Sequence, residues 1–304
     1  MSSPSSAHSE TTVGVLCAIG AYFTWGLFPL YWKPLHAVPA LQILCHRIVW
    51  SALFVTLVLL YKQHWRWLFR LVQQPRNVAL FALSSATLTL NWGIYIWAVN
   101  QGKVVEASLG YFINPLVNVL LGRLFLAERL NRPQALAVGL ACAGVLWLTV
   151  NLGGLPWVAL LLALSFGFYG LLRKQAPLGA LEGLTLETFL MLPLALAALL
   201  WFHWQGVGSL GHISRSVDAL LVGAGVVTAV PLLWFAAGAR RLTLATMGVI
   251  QYLSPSMQLL LGVALYHEPF GGARLLGFGL IWAGLLVYSG AGLCRLWQGR
   301  RLAA

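Results

Sequence analysis

Two ionisable side chains lie inside long apolar stretches of the sequence. Arg47 follows His46 in the segment ALQILCHRIVWSALFV, and Glu187 lies in LTLETFLMLPLALAALL. A charge near the centre of a membrane-spanning helix costs at least ~2.5–3.5 kcal/mol, so such residues usually serve a solute pathway or a proton relay. The guanidinium group of Arg47 can bind an anion, and Glu187 can bind a proton because burial favours a neutral carboxyl group. Structural alternatives stay open: Arg47 can bond to backbone carbonyls or extend toward water, and Glu187 can be an interfacial residue.

Neutral polar and aromatic side chains recur at helical spacing in other apolar stretches. Asn91 and Tyr95 are four residues apart, and Tyr111 and Asn114 are three apart, so each pair shares one helix face. Such faces should point into a helix bundle, because an amide in contact with lipid has no hydrogen-bonding partner. The expected solute pathway comprises Arg47, His46, Asn91, Tyr95, Tyr111, Asn114, Gln251 and Tyr252.

Two prolines lie in similar surroundings in the middle of apolar segments. The segment FINPLVNVLLGRLFLAE, at 112–128, resembles YLSPSMQLLLGVALYHE, at 252–268. A proline inside a helix removes one backbone hydrogen bond and frees a carbonyl group. Pro115 and Pro255 are therefore predicted to be hinges of a moving helix bundle, and a kink needed only for packing is the alternative.

The same offset of 140 residues recurs along the rest of the chain. It relates Glu187 to Arg47 and, in the last apolar segment of each copy, Gly284 to Gly144. A duplicated membrane unit is typical of transporters built from two repeats around a central site. Small residues spaced by four also indicate close helix packing in these last segments. They are Gly139, Ala143, Gly279 and Ala283.

Composition indicates the environment of the chain. Of its 304 residues, 60% are hydrophobic and 9% are charged, whereas soluble domains carry about 25% charged residues. The apolar runs do not alternate as transmembrane strands do, so helices are predicted. The predicted fold class is an all-α integral membrane protein with ten transmembrane helices. These cover 13–32, 41–60, 78–98, 107–126, 133–150, 155–173, 184–202, 218–236, 244–266 and 273–293.

Basic residues predict the orientation of these helices. One set of connections, with the C-terminus, carries 14 Lys and Arg residues, and the alternate set carries 4. The positive-inside rule therefore places both termini in the cytoplasm. The net charge of +12 is interpreted as this orientation signal together with attraction to anionic lipid, not as a nucleic-acid surface. Because each repeat contains an odd number of spans, the two five-helix repeats are predicted to have inverted topology.

Longer strings of the sequence resemble a known family. They are AYFTWGLFPLYWK (21–33), CHRIVWS (45–51), NWGIYIWAVN (91–100), EASLGYFINPLVNVLLG (106–122), SFGFYGLLRK (165–174) and TAVPLLWFAAGARRL (228–242). From about residue 13 to about residue 290, the chain resembles the EamA family of the drug/metabolite transporter superfamily, and within it the RarD group. The resemblance implies a ten-helix permease of the inner membrane with a central cavity. The expected domains are a disordered cytoplasmic N-terminus at 1–12, five-helix repeats at 13–150 and 155–293, and a basic cytoplasmic C-terminus at 294–304.

Other chemistries find little support in the sequence. The four cysteines are scattered singly, no phosphate-binding glycine loop is present, and His267 beside Glu268 lacks the second histidine of a zinc-protease motif. No metal and no cofactor are therefore expected. The expected partners are a small-molecule substrate and the lipid bilayer, with a homodimer as an option and no nucleic acid. The predicted function is secondary transport of a small metabolite, amino-acid-like solute or drug by alternating access, and the alternative is an intramembrane enzyme using His46 and Arg47.

Overall fold

The computed structural model of the chain describes residues 4–62, 65, 67, 74–125, 131–175, 177–239, 241–242, 247 and 250–302, and the elements in these ranges are all helical. The first half contains α1 (Pro4–Gly26), α2 (Phe28–Trp32), a 3-10 turn (Lys33–Leu35), α3 (Ala40–Lys62), α4 (Pro75–Asn100), α5 (Val104–Phe125) and α6 (Arg132–Asn151). The second half contains α7 (Trp157–Gln175), α8 (Ala180–Trp204), α9 (Arg215–Ala239), α10 (Leu253–Leu260), a π-helical turn (Leu261–Leu265) and α11 (Ala273–Leu302).

Seven helices in the described ranges are long and apolar enough to cross a membrane. They are Ala40–Lys62, Pro75–Asn100, Val104–Phe125, Arg132–Asn151, Leu181–Trp204, Arg215–Phe235 and Ala273–Gly290. An eighth span is possible if Glu10–Gly26 and Phe28–Leu35, which meet at a bend of 43°, cross together. The other two predicted spans coincide with shorter apolar helices, Trp157–Arg173 and Leu253–Leu265. The chain is thus an all-helical protein with seven or eight candidate membrane spans.

The bend between α1 and α2 follows from Pro29, which lies in the first turn of α2. A proline has no N–H group to donate to the carbonyl four residues earlier. The freed carbonyl is that of Trp25, and the side chain of Gln258 on α10 donates a hydrogen bond to it at 3.1 Å. The break in the helix is therefore satisfied by a side chain from the other half of the molecule.

Helix starts are also encoded locally. α6 begins with a capping box, in which the side chain of Asn131 accepts from the backbone N–H of Gln134 at 3.0 Å. The side chain of Gln134 accepts in return from the backbone N–H of Asn131 at 3.1 Å. Two backbone donors without intrahelical partners are thereby satisfied at this end.

Helices of the first half pack mainly on helices of the second half. α3 packs on α8 and α9, α4 on α7 and α8, and α1 on α9 and α10. α5 packs on α7 and α10, and α6 on α11. The buried core is therefore shared between the two halves rather than divided into two separate bundles.

The contact between α6 and α11 depends on two repeat-equivalent glycines. A Cβ at Gly144 would lie 2.7 Å from the carbonyl oxygen of Gly277, and a Cβ at Gly284 would lie 2.7 Å from that of Ala137. The sequence-based expectation of close packing at Gly139 and Gly279 is wrong, because both are exposed and no atom lies within 4 Å of an added Cβ. Small residues do mediate the packing of α6 on α11, but they are Gly144 and Gly284, which lie on a different helix face from Gly139 and Gly279.

Candidate solute-binding site

Arg47 lies in the interior of the bundle and is 3% exposed. Its Nε atom donates a hydrogen bond to the hydroxyl of Thr228 on α9, at 2.8 Å. Its guanidinium carbon lies 3.9 Å from the ring centroid of Trp92, 5.3 Å from that of Trp32 and 5.7 Å from that of Phe28. These five residues form what we call the Arg47 chamber. Aromatic faces attract a cation electrostatically, and more strongly when water is excluded.

The positive charge in the chamber is not balanced by a carboxylate. Among the described residues, no Asp or Glu forms an ion pair with Arg47, and its Nη1 atom is buried without a hydrogen-bond partner. An unpaired buried charge is strongly destabilising even beside aromatic rings. The chamber therefore has the electrostatic character of a site for an anionic group.

Three of the predicted pathway residues meet beside the chamber. The rings of Tyr95 and Tyr111 pack edge to face at 5.7 Å, and the hydroxyl of Tyr111 lies 3.4 Å from Oδ1 of Asn91. Tyr95 belongs to the same buried cluster as Phe28 and Trp32. The hydroxyl of Tyr95 is buried and has no hydrogen-bond partner among the residues that the structure describes. It is a second unsatisfied polar group in the same region as Nη1 of Arg47.

Asn91 also connects the two halves of the molecule. Its Nδ2 atom donates to the carbonyl of Leu162 and lies within hydrogen-bond distance of the hydroxyl of Ser165, both at 3.0 Å and both on α7. Its side chain is 1% exposed. The amide therefore holds α4 against α7, and its oxygen is directed to Tyr111.

Other predicted pathway residues do not join the chamber. Tyr252 stacks on Phe112 at 6.4 Å in a second buried cluster, and its neighbour Gln251 lies in a turn before α10. His46 is buried, but consecutive helical residues point about 100° apart, so it faces a different neighbour from Arg47. Asn114 is buried with an unpartnered Oδ1 atom, and no described hydrogen bond connects it to Tyr111.

Glu187 lies in a separate polar cluster and is 2% exposed. The hydroxyl of Ser84 donates to Oε1 at 2.5 Å, and the hydroxyl of Tyr169 donates to Oε2 at 3.4 Å. The Nε atom of Arg173 lies 3.8 Å from Oε1, which is a loose ion pair. Residue Glu187 is thus a buried, partnered carboxylate, although it stands at the sequence position equivalent to Arg47.

A small cavity of about 10 Å³ lies between the two regions. Its walls include Trp92, on which the guanidinium of Arg47 stacks, and Glu187 itself. Ile48 and Thr188, the residues that follow Arg47 and Glu187 in sequence, also line it. Glu187 and Trp92 therefore border the same small cavity between α3, α4 and α8.

The two predicted hinge prolines have different settings. Pro115 lies inside α5, which continues on both sides of it, and it is buried. Pro255 lies in the first turn of α10, after a turn at Gln251 and Tyr252. The first N–H groups of a helix have no intrahelical acceptor, so Pro255 removes no hydrogen bond from α10. It is therefore not a mid-helix interruption like Pro115.

Several residues of the site were missed by sequence reasoning. Thr228, the hydrogen-bond partner of Arg47, and Ser84, the partner of Glu187, are single hydroxyls in apolar helices. Hydroxyls are common in such helices because they can bond to their own backbone, so their type carries no signal. Pro29 was an available signal for the break next to Phe28 and Trp32, but one continuous span was predicted at 13–32 and the break was missed. In the described ranges, no three His, Cys, Asp or Glu side chains lie together as metal ligands do.

The fold and this site define a class, a multi-span helical membrane protein with a buried polar site. The EamA-like transporter family matches the chain twice, over residues 12–150 and 154–290. The chain therefore belongs to the EamA-like transporter family, which confirms the resemblance inferred from the sequence.

Named relatives agree with this assignment. The chain is 48% identical over 286 residues to the uncharacterized transporter YojE of Bacillus subtilis, covering 93% of this chain and 95% of that protein. It is 44% identical over 279 residues to protein RarD of Escherichia coli, covering 92% and 94%. It is 36% identical over 284 residues to the chloramphenicol-sensitive protein RarD of Pseudomonas aeruginosa, covering 90% and 92%. A solved crystal structure with 20% identity covers 99% of this chain and 100% of its own, with a TM-score of 0.57, which shows a shared fold.

Proposed function

We propose that the chain is a secondary transporter that moves a small metabolite, amino-acid-like solute or drug across the inner membrane by alternating access. The observation that carries this proposal is the buried guanidinium of Arg47, which has an unpartnered Nη1 atom and no carboxylate beside it in the described ranges. Its family consists of transporters, and a transporter needs a binding site inside the bundle. An anionic solute would balance the charge of Arg47 while it is bound and would then be released.

The proposed architecture is ten spans in two inverted five-helix repeats, at 13–150 and 155–293, with short cytoplasmic termini at 1–12 and 294–304. The two family matches have nearly the same limits as these repeats. The helix contacts also have the symmetry expected of two equivalent repeats, in which each contact recurs when every helix is replaced by its equivalent. The contact of α1 with α10 recurs as that of α7 with α5, and the contact of α3 with α9 recurs as that of α8 with α4. The pattern of basic residues supports the cytoplasmic placement of both termini.

The side chains of the chamber suit a particular kind of solute. Arg47 offers a donor fork for a carboxylate, and the hydroxyl of Tyr95 offers one more hydrogen-bonding group. Trp92, Trp32 and Phe28 offer rings for an apolar or aromatic body. An amphipathic anion or an amino acid has both features, so this is the substrate class that we propose.

Glu187 is proposed as the proton-binding group of the transport cycle. It is a buried carboxylate, and the cavity that it lines reaches Trp92 of the chamber. Its bond to Ser84 and its loose pairing with Arg173 would both weaken when the carboxylate takes up a proton. Proton binding and solute binding would then act on the same pair of helices, α3 and α8.

Transport by purified protein in liposomes tests the proposal. Vesicles containing the parent protein, an Arg47→Lys variant or no protein would be incubated with a mixture of small metabolites, with and without a pH gradient. The vesicle contents would then be measured by mass spectrometry. We expect a subset of carboxylate-bearing solutes to cross only with the parent protein and to respond to the pH gradient. If no solute crosses faster with the parent protein than in empty vesicles, the proposed function is wrong.

A further inference from the structure

The segment that follows the π-helical turn crosses to the beginning of α5. There the Oε1 atom of Glu268 accepts a hydrogen bond from the backbone N–H of Val104 at 2.7 Å. The Oε2 atom accepts one from the backbone N–H of Val105 at 2.8 Å. The first N–H groups of a helix have no acceptor of their own, and the positive end of the helix dipole favours a carboxylate. A single side chain thus caps α5 from a different part of the chain.

Neighbouring contacts hold two more segments at the same end of the bundle. The Nζ atom of Lys33, in the turn after α2, donates to the carbonyl of Val99 near the end of α4, at 3.3 Å. The same atom lies 5.3 Å from the ring centroid of Tyr266. The ends of α2 and α4, the start of α5 and the segment 266–268 therefore meet in one cluster.

The backbone between Tyr266 and Glu268 is shaped for this contact. His267 has φ 53°, and it is the non-glycine residue with positive φ among those described. A left-handed conformation is unfavourable for residues with a Cβ atom. The backbone N–H of Glu268 then donates to the carbonyl of Gly262 at 2.9 Å, which directs the carboxylate to α5. Local strain is retained here because the surrounding contacts determine it.

This cluster lies between one face of the membrane and the solute-binding site. Val104 and Tyr111 are seven residues apart on α5, which corresponds to about 10 Å along a helix. Ala107, one turn from Val104, is fully buried and belongs to the same core as Tyr95. The cluster therefore lies about two helical turns from Tyr111 along α5.

We propose that Glu268 is a latch that closes the Arg47 chamber to the non-cytoplasmic side, an inference that rests on the proposed alternating-access function. While the carboxylate caps α5, the segment 266–268 and the helices around it are held together. Opening this side breaks both hydrogen bonds, and water then takes the place of the carboxylate at Val104 and Val105.

The latch should respond to acid on that side. Burial raises the pKa of Glu268, whereas the hydrogen bonds from Val105 and Val104 and the charges of Lys33 and Arg274 lower it. Tyr266 also faces the carboxylate. Because the raised pKa brings protonation to a milder pH than for an exposed glutamate, the latch weakens as pH falls. A Glu268→Gln variant should lose this pH dependence and behave at neutral pH as the parent does in acid.

Accessibility of a buried cysteine tests the latch without measuring transport. An Ala107→Cys reporter would be placed in a chain whose own cysteines are replaced by serine, reconstituted in nanodiscs, and labelled with a water-soluble maleimide. We expect Glu268→Gln to raise the labelling rate about tenfold, the change expected when hydrogen bonds to a charged group are lost. His212→Cys, on an exposed connection, gives the rate for an open position.

Two further variants separate the latch from general loosening. Glu106→Gln removes the same charge near the same end of α5, where Glu106 accepts one hydrogen bond from the backbone N–H of Val158 at 3.1 Å, and it should leave labelling unchanged. Val104→Pro removes one donor of the latch at a position where helices tolerate proline, and it should raise labelling by about threefold, since one of two bonds is lost.

Each outcome decides the question. An unchanged labelling rate in both Glu268→Gln and Val104→Pro overturns the latch, as does an equal increase in Glu106→Gln. If Ala107→Cys becomes accessible in the latch variants although the parent protein moves no solute in liposomes, the latch stands and the proposed transport function fails.

Discussion

Arg47 on α3 and Glu187 on α8 stand 140 residues apart, at equivalent positions of the two repeats, yet their surroundings differ. Arg47 has one hydroxyl partner, three aromatic rings and an Nη1 atom without a partner. Glu187 has two hydroxyl partners and an arginine at 3.8 Å. The same helix position therefore holds an unsatisfied charge in one repeat and a satisfied one in the other.

This difference suggests different roles for the two residues: Arg47 binds the solute, and Glu187 stabilises the packing of the helices around it. A satisfied buried charge is costly to disturb, because removing it leaves its partners unpaired. An unsatisfied buried charge already carries that cost, so its removal relieves the protein but deprives a ligand of its partner. Glu187 should therefore matter to stability as well as to proton binding, and Arg47 should matter to transport far more than to stability.

The largest effect is expected for Glu187→Ala. Removal of the carboxylate leaves the hydroxyls of Ser84 and Tyr169 without their acceptor and Arg173, which is 17% exposed, without its counter-charge. Losing hydrogen bonds to a buried charged group costs about 1.5–3 kcal/mol each. Thermal unfolding in detergent should show a markedly lower midpoint than for the parent. The double variant Glu187→Ala with Arg173→Ala should recover part of the loss, because the two effects are coupled. Simple additivity of the two single changes would contradict the pairing.

Arg47 should show the opposite profile. Arg47→Lys keeps the charge but loses the planar donor fork, and Arg47→Ala loses both. Removing one partner of a buried charged contact typically costs 2–5 kcal/mol of binding, so transport at low solute concentration should fall about hundredfold in both variants. The unfolding midpoint of Arg47→Lys should stay within a few degrees of the parent, whereas Arg47→Ala also leaves a cavity beside Trp92 and should lower the midpoint modestly. A collapse of stability with normal transport would show that Arg47 is an anchor as Glu187 is.

Gly183, which lies beside Arg173, allows a smaller test of the contacts around Glu187. A Cβ at Gly183 would collide with the guanidinium of Arg173, so Gly183→Ala should displace that group from Glu187. Because the guanidinium is the end of a flexible side chain, it can move aside, and the expected loss is that of a weakened, partly exposed ion pair, about 1 kcal/mol or less. Gly139→Ala is the matched control, because nothing lies within 4 Å of its added Cβ, and it should leave the unfolding midpoint unchanged. Equal midpoints for the two variants would argue against tight packing around Arg173.

Part of the fold and of the candidate site could be predicted from the sequence. Apolar runs predicted helices because a bilayer offers no other hydrogen-bonding partners to the backbone, and the helices lie close to the expected positions. Arg47, Asn91 and Tyr95 were predicted to face the interior because polar groups in such runs avoid lipid, and all three are buried; Tyr111, predicted on the same argument, is partly buried. That argument needs only residue type and helical spacing.

Other parts could not be predicted, for physical reasons that the structure shows. Gln251 and Tyr252 were predicted to lie along the solute pathway from their residue types, but the turn that residues 251–252 form inside the span predicted at 244–266 was not predicted. Gly139 was assigned to a packed face because spacing alone does not give the rotation of a helix about its axis. The pairing of Glu187 with Ser84 and Arg173 depends on contacts between α4, α7 and α8, which no local pattern encodes.

The smallest effect distinguishes the two tyrosines beside Arg47. The hydroxyl of Tyr95 is buried without a partner, so in the proposed site it is free to bond to the solute. Tyr95→Phe should weaken apparent solute affinity about tenfold, the effect of one hydrogen bond to a charged group. It should also leave stability unchanged or slightly raised, because an unsatisfied hydroxyl is removed.

The hydroxyl of Tyr111 is directed to Asn91 at 3.4 Å, so Tyr111→Phe should change affinity by less than about threefold. Concentration-dependent uptake into liposomes would measure both values. If Tyr111→Phe weakens affinity more than Tyr95→Phe, the solute lies on the Asn91 side of the site, and the assignment of Tyr95 as its partner is incorrect.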